Sequence, residues 1–289
     1  MAVTITDVVL RDGLQDEKVV VDTGDKIRIA AALARAGLTQ LEVASFVSPT
    51  RVPQMADADA VIAGLPRTDP SVHYSALALN ATGVYRAAAS DIDEIQIVAS
   101  AGTGHSRANS GRTPEQALAE LAEAVRAHPD RRFIAGISTA FVCPFDGPIS
   151  ADRLVEVAVT MADMGVVRLG LADTLGTAST EHVLDSVAAV RAALPDTELS
   201  LHLHNADGQA IGTALAAAID LGIEHFDAAL GGYGGCPFAP GAHGNLATEV
   251  LVRHFHHYGI DTGIDESALT DAATTLAHAL DRARPLTAA

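Results

Sequence analysis

His202 and His204 stand two residues apart in Glu198–His204, a run that reads as a β-strand, so both imidazoles project from the same face. Two neutral imidazoles on one face, joined by a carboxylate such as Asp12, make a site for a divalent cation, and Asn245 can add a neutral oxygen ligand. A nitrogen and oxygen donor set without thiolate suits Mg²⁺, Mn²⁺, Co²⁺ or Zn²⁺ in an open site. With 12 histidines in the chain, an ordinary hydrogen-bonded or exposed strand pair explains the same spacing. Asp12 reads equally as a helix cap with Arg11 as its salt-bridge partner. Glu42 and Asp173 end apolar strands, where a carboxylate is costly unless paired, hydrated or metal-bound. The glycine-dense stretch Leu230–Phe238 fits a loop that bends closely around a ligand or moves. Cys236 within it either presents a thiol to substrate or is a buried small hydrophobe. Cys143, beside Pro144, reads as structural. Lys18, Arg51, Arg107 and Arg112 are candidate phosphate contacts or ordinary solvated cations.

These residues need elements to hold them. β-Branched runs mark strands at Thr4–Leu10, Gln40–Ala44, Val72–Ala78, Ile92–Ala99, Phe133–Thr139, Val166–Leu171, Glu198–His204 and His225–Leu230. The clearest helices between them are Asp25–Ala36, Ala56–Gly64, Pro114–Ala127, Ala151–Met164, Ser179–Ala193 and Gly208–Leu221. Thr113-Pro114-Glu115-Gln116 reads as an N-cap followed by a proline at N1, and Gly37, Gly165 and Gly222 as helix stops. Eight strands with crossovers of this length predict an α/β fold, a (β/α)8 TIM barrel. The alternative is an open doubly wound sheet, but no Gly-x-Gly-x-x-Gly follows the first strand. In a barrel the active site uses the C-terminal strand ends, where Arg11-Asp12, Glu42, Asp173 and His202–Asn205 all fall. Asn245 is placed at the start of the last helix. A further helical segment, Glu266–Arg282, reads as lying outside the barrel. The expectation is a single catalytic domain over residues 1–289, with 262–289 as a peripheral C-terminal extension.

The chain of 289 residues is long enough for one such barrel and a substantial core. Lys and Arg number 19 against 36 Asp and Glu, a net charge of −17, which argues against nucleic acid or an anionic membrane as partner. Two cysteines exclude a disulfide scaffold, and no apolar run is long enough for a membrane helix. A cytoplasmic protein is expected. No Gly-x-Ser-x-Gly elbow, Cys-x-x-Cys pair or phosphate-binding loop appears, which removes serine hydrolase, dithiol redox and ATPase readings.

Arg11-Asp12-Gly13-Leu14-Gln15-Asp16-Glu17-Lys18, Ser45-Phe46-Val47-Ser48-Pro49 and Val52-Pro53-Gln54-Met55 resemble the hydroxymethylglutaryl-CoA lyase family. So do Gly234-Gly235-Cys236-Pro237-Phe238-Ala239 and Gly244-Asn245-Leu246-Ala247-Thr248-Glu249, and the motifs keep family order over about residues 4–260. The resemblance implies a metal-dependent barrel lyase related to the 2-isopropylmalate synthases. It implies metal ligation by Asp12, His202, His204 and Asn245, with Mg²⁺ or Mn²⁺ as the cation. It also implies catalytic roles for Arg11, Asp12, His202 and Cys236, supported by Glu42 and Asp173. The implied reaction is cleavage of 3-hydroxy-3-methylglutaryl-CoA to acetyl-CoA and acetoacetate by a homodimer. CoA must cross an acidic protein, so local donors are expected near the barrel mouth, with Asn80 and Arg51 as the expected contacts. Alternatives are a lyase for another branched 3-hydroxyacyl-CoA, a related Claisen-type synthase or aldolase, and a binding module without catalysis. The chain departs from the family at His204-Asn205-Ala206-Asp207, at Gly102-Thr103-Gly104-His105, at Ala172 and at Tyr233. These positions flank the expected cavity, so retained retro-Claisen chemistry on a different acyl chain is the expectation they raise.

Overall fold

The structure, a computed structural model, describes residues 1–235 and 244–285. Eight parallel strands close a barrel: β1 (Thr4–Asp7), β2 (Gln40–Ser45), β3 (His73–Ala78), β4 (Glu94–Ser100), β5 (Arg132–Ser138), β6 (Arg168–Asp173), β7 (Glu198–Leu203) and β8 (His225–Ala228). They stand in sequence order around the barrel, and β1 closes it by pairing with β8 (Ile5 opposite Phe226) and with β2 (Thr6 opposite Gln40). The expected eight-strand barrel is the observed one, and the doubly wound sheet is excluded.

The helices are α1 (Thr23–Arg35), α2 (Ala58–Gly64), α3 (Ala81–Ala88), α4 (Thr103–Ser110), α5 (Pro114–Arg126), α6 (Ala151–Ala162), α7 (Thr180–Ala193), α8 (Ala210–Leu221), α9 (Thr248–His257) and α10 (Glu266–Arg282). In α5 the apolar face Ala117, Leu118, Leu121, Ala124 and Val125 is buried, the spacing of one helical stripe. Its start is a capping box: Thr113 Oγ1 accepts from the Gln116 amide, and Gln116 Oε1 accepts from the Thr113 amide at 3.0 Å. Gly37, Gly165 and Gly222 all take positive φ, as helix stops require. α10 lies against α1, where Arg282 donates to Asp25 at 2.7 Å, and Arg284–Pro285 pairs with Val19–Val20. No helix among the described residues is long and apolar enough to cross a membrane.

Two strands are shorter than their apolar runs. β1 stops at Asp7 because the Asp7 carboxylate accepts from the Val9 amide at 2.9 Å and bends the chain. The next residues, Val9–Gly13, form one π-helical turn in which the Asp12 and Gly13 amides both point at Val8 O. β8 stops at Ala228, after which Ala229 bridges Ala247. Asn245 does not start the last helix: it lies three residues before α9, in an antiparallel bridge to His204, and α10 follows.

Asp7 also holds the far end of the chain. Its Oδ2 accepts from the Leu230 amide at 2.9 Å and from Thr248 Oγ1 at 2.6 Å, joining β1 to the segment after β8 and to α9. Burial raises its pKa from 3.8 to about 7, against these hydrogen bonds, which lower it. A group protonated more readily in the folded state stabilises fully below pH 4 and loses that contribution as pH rises through about 7. Asp7→Asn is therefore expected to be less stable than wild type in urea at pH 5, with the deficit narrowing by pH 8. A deficit that stays constant between these pH values refutes the assignment.

Candidate active site

The C-terminal ends of the strands open into a cavity of about 1210 Å³, its open mouth included. The π-helical turn after β1 swings Arg11 and Asp12 over this mouth, and β7 delivers His202 on its inner face. The bridge to Asn245 fixes His204 just past the strand end. His202 Nε2 and His204 Nε2 face each other at 3.0 Å, and His204 Nε2 is 3.9 Å from Asp12 Oδ2. Ligand atoms of Asp12, His202 and His204 all lie within 4.8 Å of one another.

Two imidazole nitrogens this close need a proton or a cation between them. Nδ1 of His202 lies 3.2 Å from Asp227 Oδ2, which makes it the protonated nitrogen and turns the Nε2 lone pair inward. This carboxylate–histidine pairing is the usual support of a metal-bound imidazole. Nδ1 of His204 is buried without a hydrogen-bond partner among the described residues, so Asp12 is the group near it that favours a charged ring. Burial, followed by the neighbouring His202, lowers the His204 pKa to about 4, which keeps the ring neutral and able to ligate. Burial acts to raise the Asp12 pKa, but Arg11, the two histidines and Asn245 outweigh it and hold the carboxyl at about 2. Burial acts to lower the His202 pKa, but Asp227 and Asp12 outweigh it and raise it. A neutral His204 and an ionised Asp12 fit a divalent cation, which would take the place of the proton on His202 Nε2. Asn245 sits in the same place, its Nδ2 donating to Asp12 Oδ2 at 2.6 Å and to Tyr233 O at 3.0 Å.

Arg11 is buried between two carboxylates. Its Nε donates to Glu42 Oε2 at 2.6 Å and its Nη1 to Asp12, while Nη2 makes no hydrogen bond to a described residue. Burial lowers its pKa, but Asp12 and Glu42 reverse the shift and keep it protonated. Burial raises Glu42 to about 7 despite Arg11, and its Oε1 has no hydrogen-bond partner among the described residues.

Other expected site residues lie elsewhere. Asp173 does not line the cavity: its two oxygens accept from the Gly176 and Ala178 amides, each at 3.1 Å, clamping the loop after β6. Asn80 caps α3, accepting from the Gly83 amide at 2.9 Å. Arg51 is exposed on the loop after β2, outside the cavity lining. Cys143 is buried, its thiol donating to Asp146 at 3.2 Å, a structural role as expected. Cys236 lies outside the described residues. The sequence reading missed Asp227, Asp16 and Gln96, all of which line the cavity. Asp227 was detectable, since with His225 it forms the polar side of the alternating run His225-Phe226-Asp227. Asp227→Ala is expected to weaken Mn²⁺ binding about 10–100-fold by calorimetry, and unchanged affinity in the folded variant refutes its supporting role.

The sequence model of the HMGL-like family matches residues 2–276. The chain is 39% identical to the (R)-citramalyl-CoA lyase of Chloroflexus aurantiacus, covering 98% of this chain and 93% of that protein. It is 37% identical to the 3-hydroxy-3-isohexenylglutaryl-CoA/hydroxy-methylglutaryl-CoA lyase of Pseudomonas aeruginosa, with 97% and 93% covered. The crystal structure of the HMG-CoA lyase from Brucella melitensis superposes with a TM-score of 0.90 at 36% identity, covering 96% of this chain and 98% of that one. A family match over nearly the whole chain and a clustered Asp12–His202–His204 triad lead to one conclusion: the protein belongs to the HMGL-like family of metal-dependent barrel lyases.

Proposed function

We propose that the protein catalyses retro-Claisen cleavage of a tertiary 3-hydroxyacyl-CoA of the 3-hydroxy-3-methylglutaryl-CoA type, releasing acetyl-CoA and a 3-oxo acid. With the methyl-branched thioester the second product is acetoacetate. The observation that carries this reading is the convergence of the Asp12–His202–His204 cluster with a protonated Arg11 at the mouth of one cavity.

Asp12, His202 and His204, with Asn245 beside them, would hold the cation, Mg²⁺ or Mn²⁺ in this reading. Such a cation supplies Lewis acidity toward the hydroxyl and carboxylate oxygens of the substrate. In this reading Asp12 takes the hydroxyl proton, because His202 carries its proton on Nδ1 and would give its Nε2 lone pair to the cation. As the C2–C3 bond breaks, its electron pair moves into the thioester, and negative charge develops on the thioester oxygen. Arg11, held by Glu42 and with Nη2 free of described partners, is oriented to stabilise that charge. Cys236 then returns a proton to C2, and closure of its glycine-rich loop would exclude bulk water. Arg51 on its exposed loop remains available for CoA phosphates, whereas Asn80 has only its Nδ2 group left to offer. Asp173 supports the reaction by shaping the β6 loop. Homodimeric assembly and a cytoplasmic location complete this reading.

Mass spectrometry after adding 3-hydroxy-3-methylglutaryl-CoA with Mg²⁺ or Mn²⁺ is expected to show acetyl-CoA and acetoacetate, abolished by chelator. A folded, metal-loaded enzyme that cleaves no branched 3-hydroxyacyl-CoA sinks the reading. Arg11→Met is expected to lower kcat about 10²–10³-fold while metal content is kept, and unchanged turnover removes its charge-stabilising role. Cys236→Ser is expected to lose turnover with metal still bound; full retained activity excludes the thiol as proton donor.

A further inference from the structure

A (β/α)8 barrel ordinarily fills its interior with layers of branched side chains. Here the arc below the metal cluster on β4–β7 is built mainly from small residues. Val98, Gly136, Gly170 and Ser200 are register partners on β4, β5, β6 and β7, forming a continuous arc, and all four line the cavity. Along these strands the alternation is clear: Ala135, Ile137, Leu169 and Leu171 are buried against the helices, while Gly136 and Gly170 between them are partly open. Ser200 precedes His202 by two residues on β7, so this arc lies about 7 Å deeper than the metal cluster.

The walls of this chamber carry polar groups with nothing to bind. A Cβ at Gly136 would lie 3.5 Å from Gln96 Nε2 and 3.3 Å from Val98 Cγ2, and one at Gly170 would lie 3.0 Å from Ser200 Oγ. The Gln96 amide and the Ser200 hydroxyl thus border the space that the two glycines leave. Neither side chain hydrogen-bonds another described residue. The floor is Arg168, which is neutralised by Glu198 at 3.3 Å and Glu94 at 3.7 Å. A guanidinium held by two carboxylates offers no net positive charge to a substrate carboxylate. The half-buried Gln96 amide and the buried Ser200 hydroxyl do offer hydrogen bonds to a neutral polar group, and leaving them unmade in the complex is costly.

We propose that this chamber is the subsite for the substituent on the hydroxyl-bearing carbon, and that it takes a branch longer than methyl carrying a neutral hydrogen-bonding group such as a hydroxyl. The proposal rests on the retro-Claisen reading above and adds the substrate class and its determinants, Gly136, Gly170, Gln96 and Ser200.

The test compares kcat/KM for 3-hydroxy-3-alkylglutaryl-CoA thioesters whose branch is methyl, butyl or ω-hydroxybutyl, using the metal-loaded enzyme. Wild type is expected to favour the ω-hydroxybutyl thioester over both others by about tenfold or more. Gly136→Val, which fills the chamber, is expected to lower the ω-hydroxybutyl-to-methyl ratio at least about tenfold. Gln96→Leu conserves volume and is expected to lower the ω-hydroxybutyl-to-butyl ratio about tenfold; it decides the matter should the valine variant not fold. Ratios that stay at the wild-type value in both folded variants overturn the proposal, as does a wild-type preference for methyl. Cleavage of the methyl thioester alone defeats the chamber and leaves the retro-Claisen reading standing. Cleavage of none of the three defeats both.

Discussion

Carboxylates buried at the mouth of an apolar barrel must each find a donor, and that requirement organises this structure. Asp7 takes two backbone amides and a threonine hydroxyl, and Asp173 takes the amides of its own loop. Glu42 takes Arg11, while Asp12 takes Arg11 and Asn245. Asp227 takes His202. The loops that carry the site bend where these carboxylates hold them. An apolar replacement would remove the charge and the bend together. Asp12, whose partners are cationic or ligating, is the carboxylate left available to a divalent ion.

The barrel was legible because parallel strands buried on both faces read as unbroken apolar runs, and eight such runs with helical crossovers admit few architectures. His202 and His204 were legible because strand period fixes their common side, and Arg11-Asp12 because they follow the first strand. Less was readable where one residue type serves two purposes. Asn80 reads as a ligand contact, and its side-chain oxygen caps a helix; Asp173 reads as a site residue, and its carboxylate clamps a loop. Both jobs ask for the same short polar side chain after a strand, and only the three-dimensional partner separates them. Gln96 was hidden for another reason. Which face of β4 points inward depends on closure of the whole sheet, a property no local window contains.

The interior and the exterior of the barrel do different work. Outside, leucine, isoleucine, valine and alanine side chains on strands and helices form one continuous core that includes Ile5, Ile97, Leu171 and Phe226. Inside, glycine, serine and alanine give up packing energy to leave room. At the opposite end Arg168 joins Glu94 and Glu198, and His225 also meets Glu198 at 3.2 Å, closing the base with ion pairs instead of bulk. Stability thus comes from the shell, and the inner strand faces are released for recognition.

The clamp at Asp7 has a consequence for how the molecule comes into being. Its hydroxyl partner, Thr248, lies 241 residues away along the chain. Strand β1 has no neighbour on one side until β8 has been made, and the aspartate that meets the paired histidines sits just beyond β1. During synthesis the amino-terminal strand therefore waits with an unfilled edge while almost all of the chain emerges. Contacts of such long sequence separation are slow to form, so ring closure and assembly of the catalytic cluster are late events. A nascent chain that has not yet made β7 and β8 cannot bring the cluster together, which keeps carbon–carbon bond cleavage from beginning before the barrel closes.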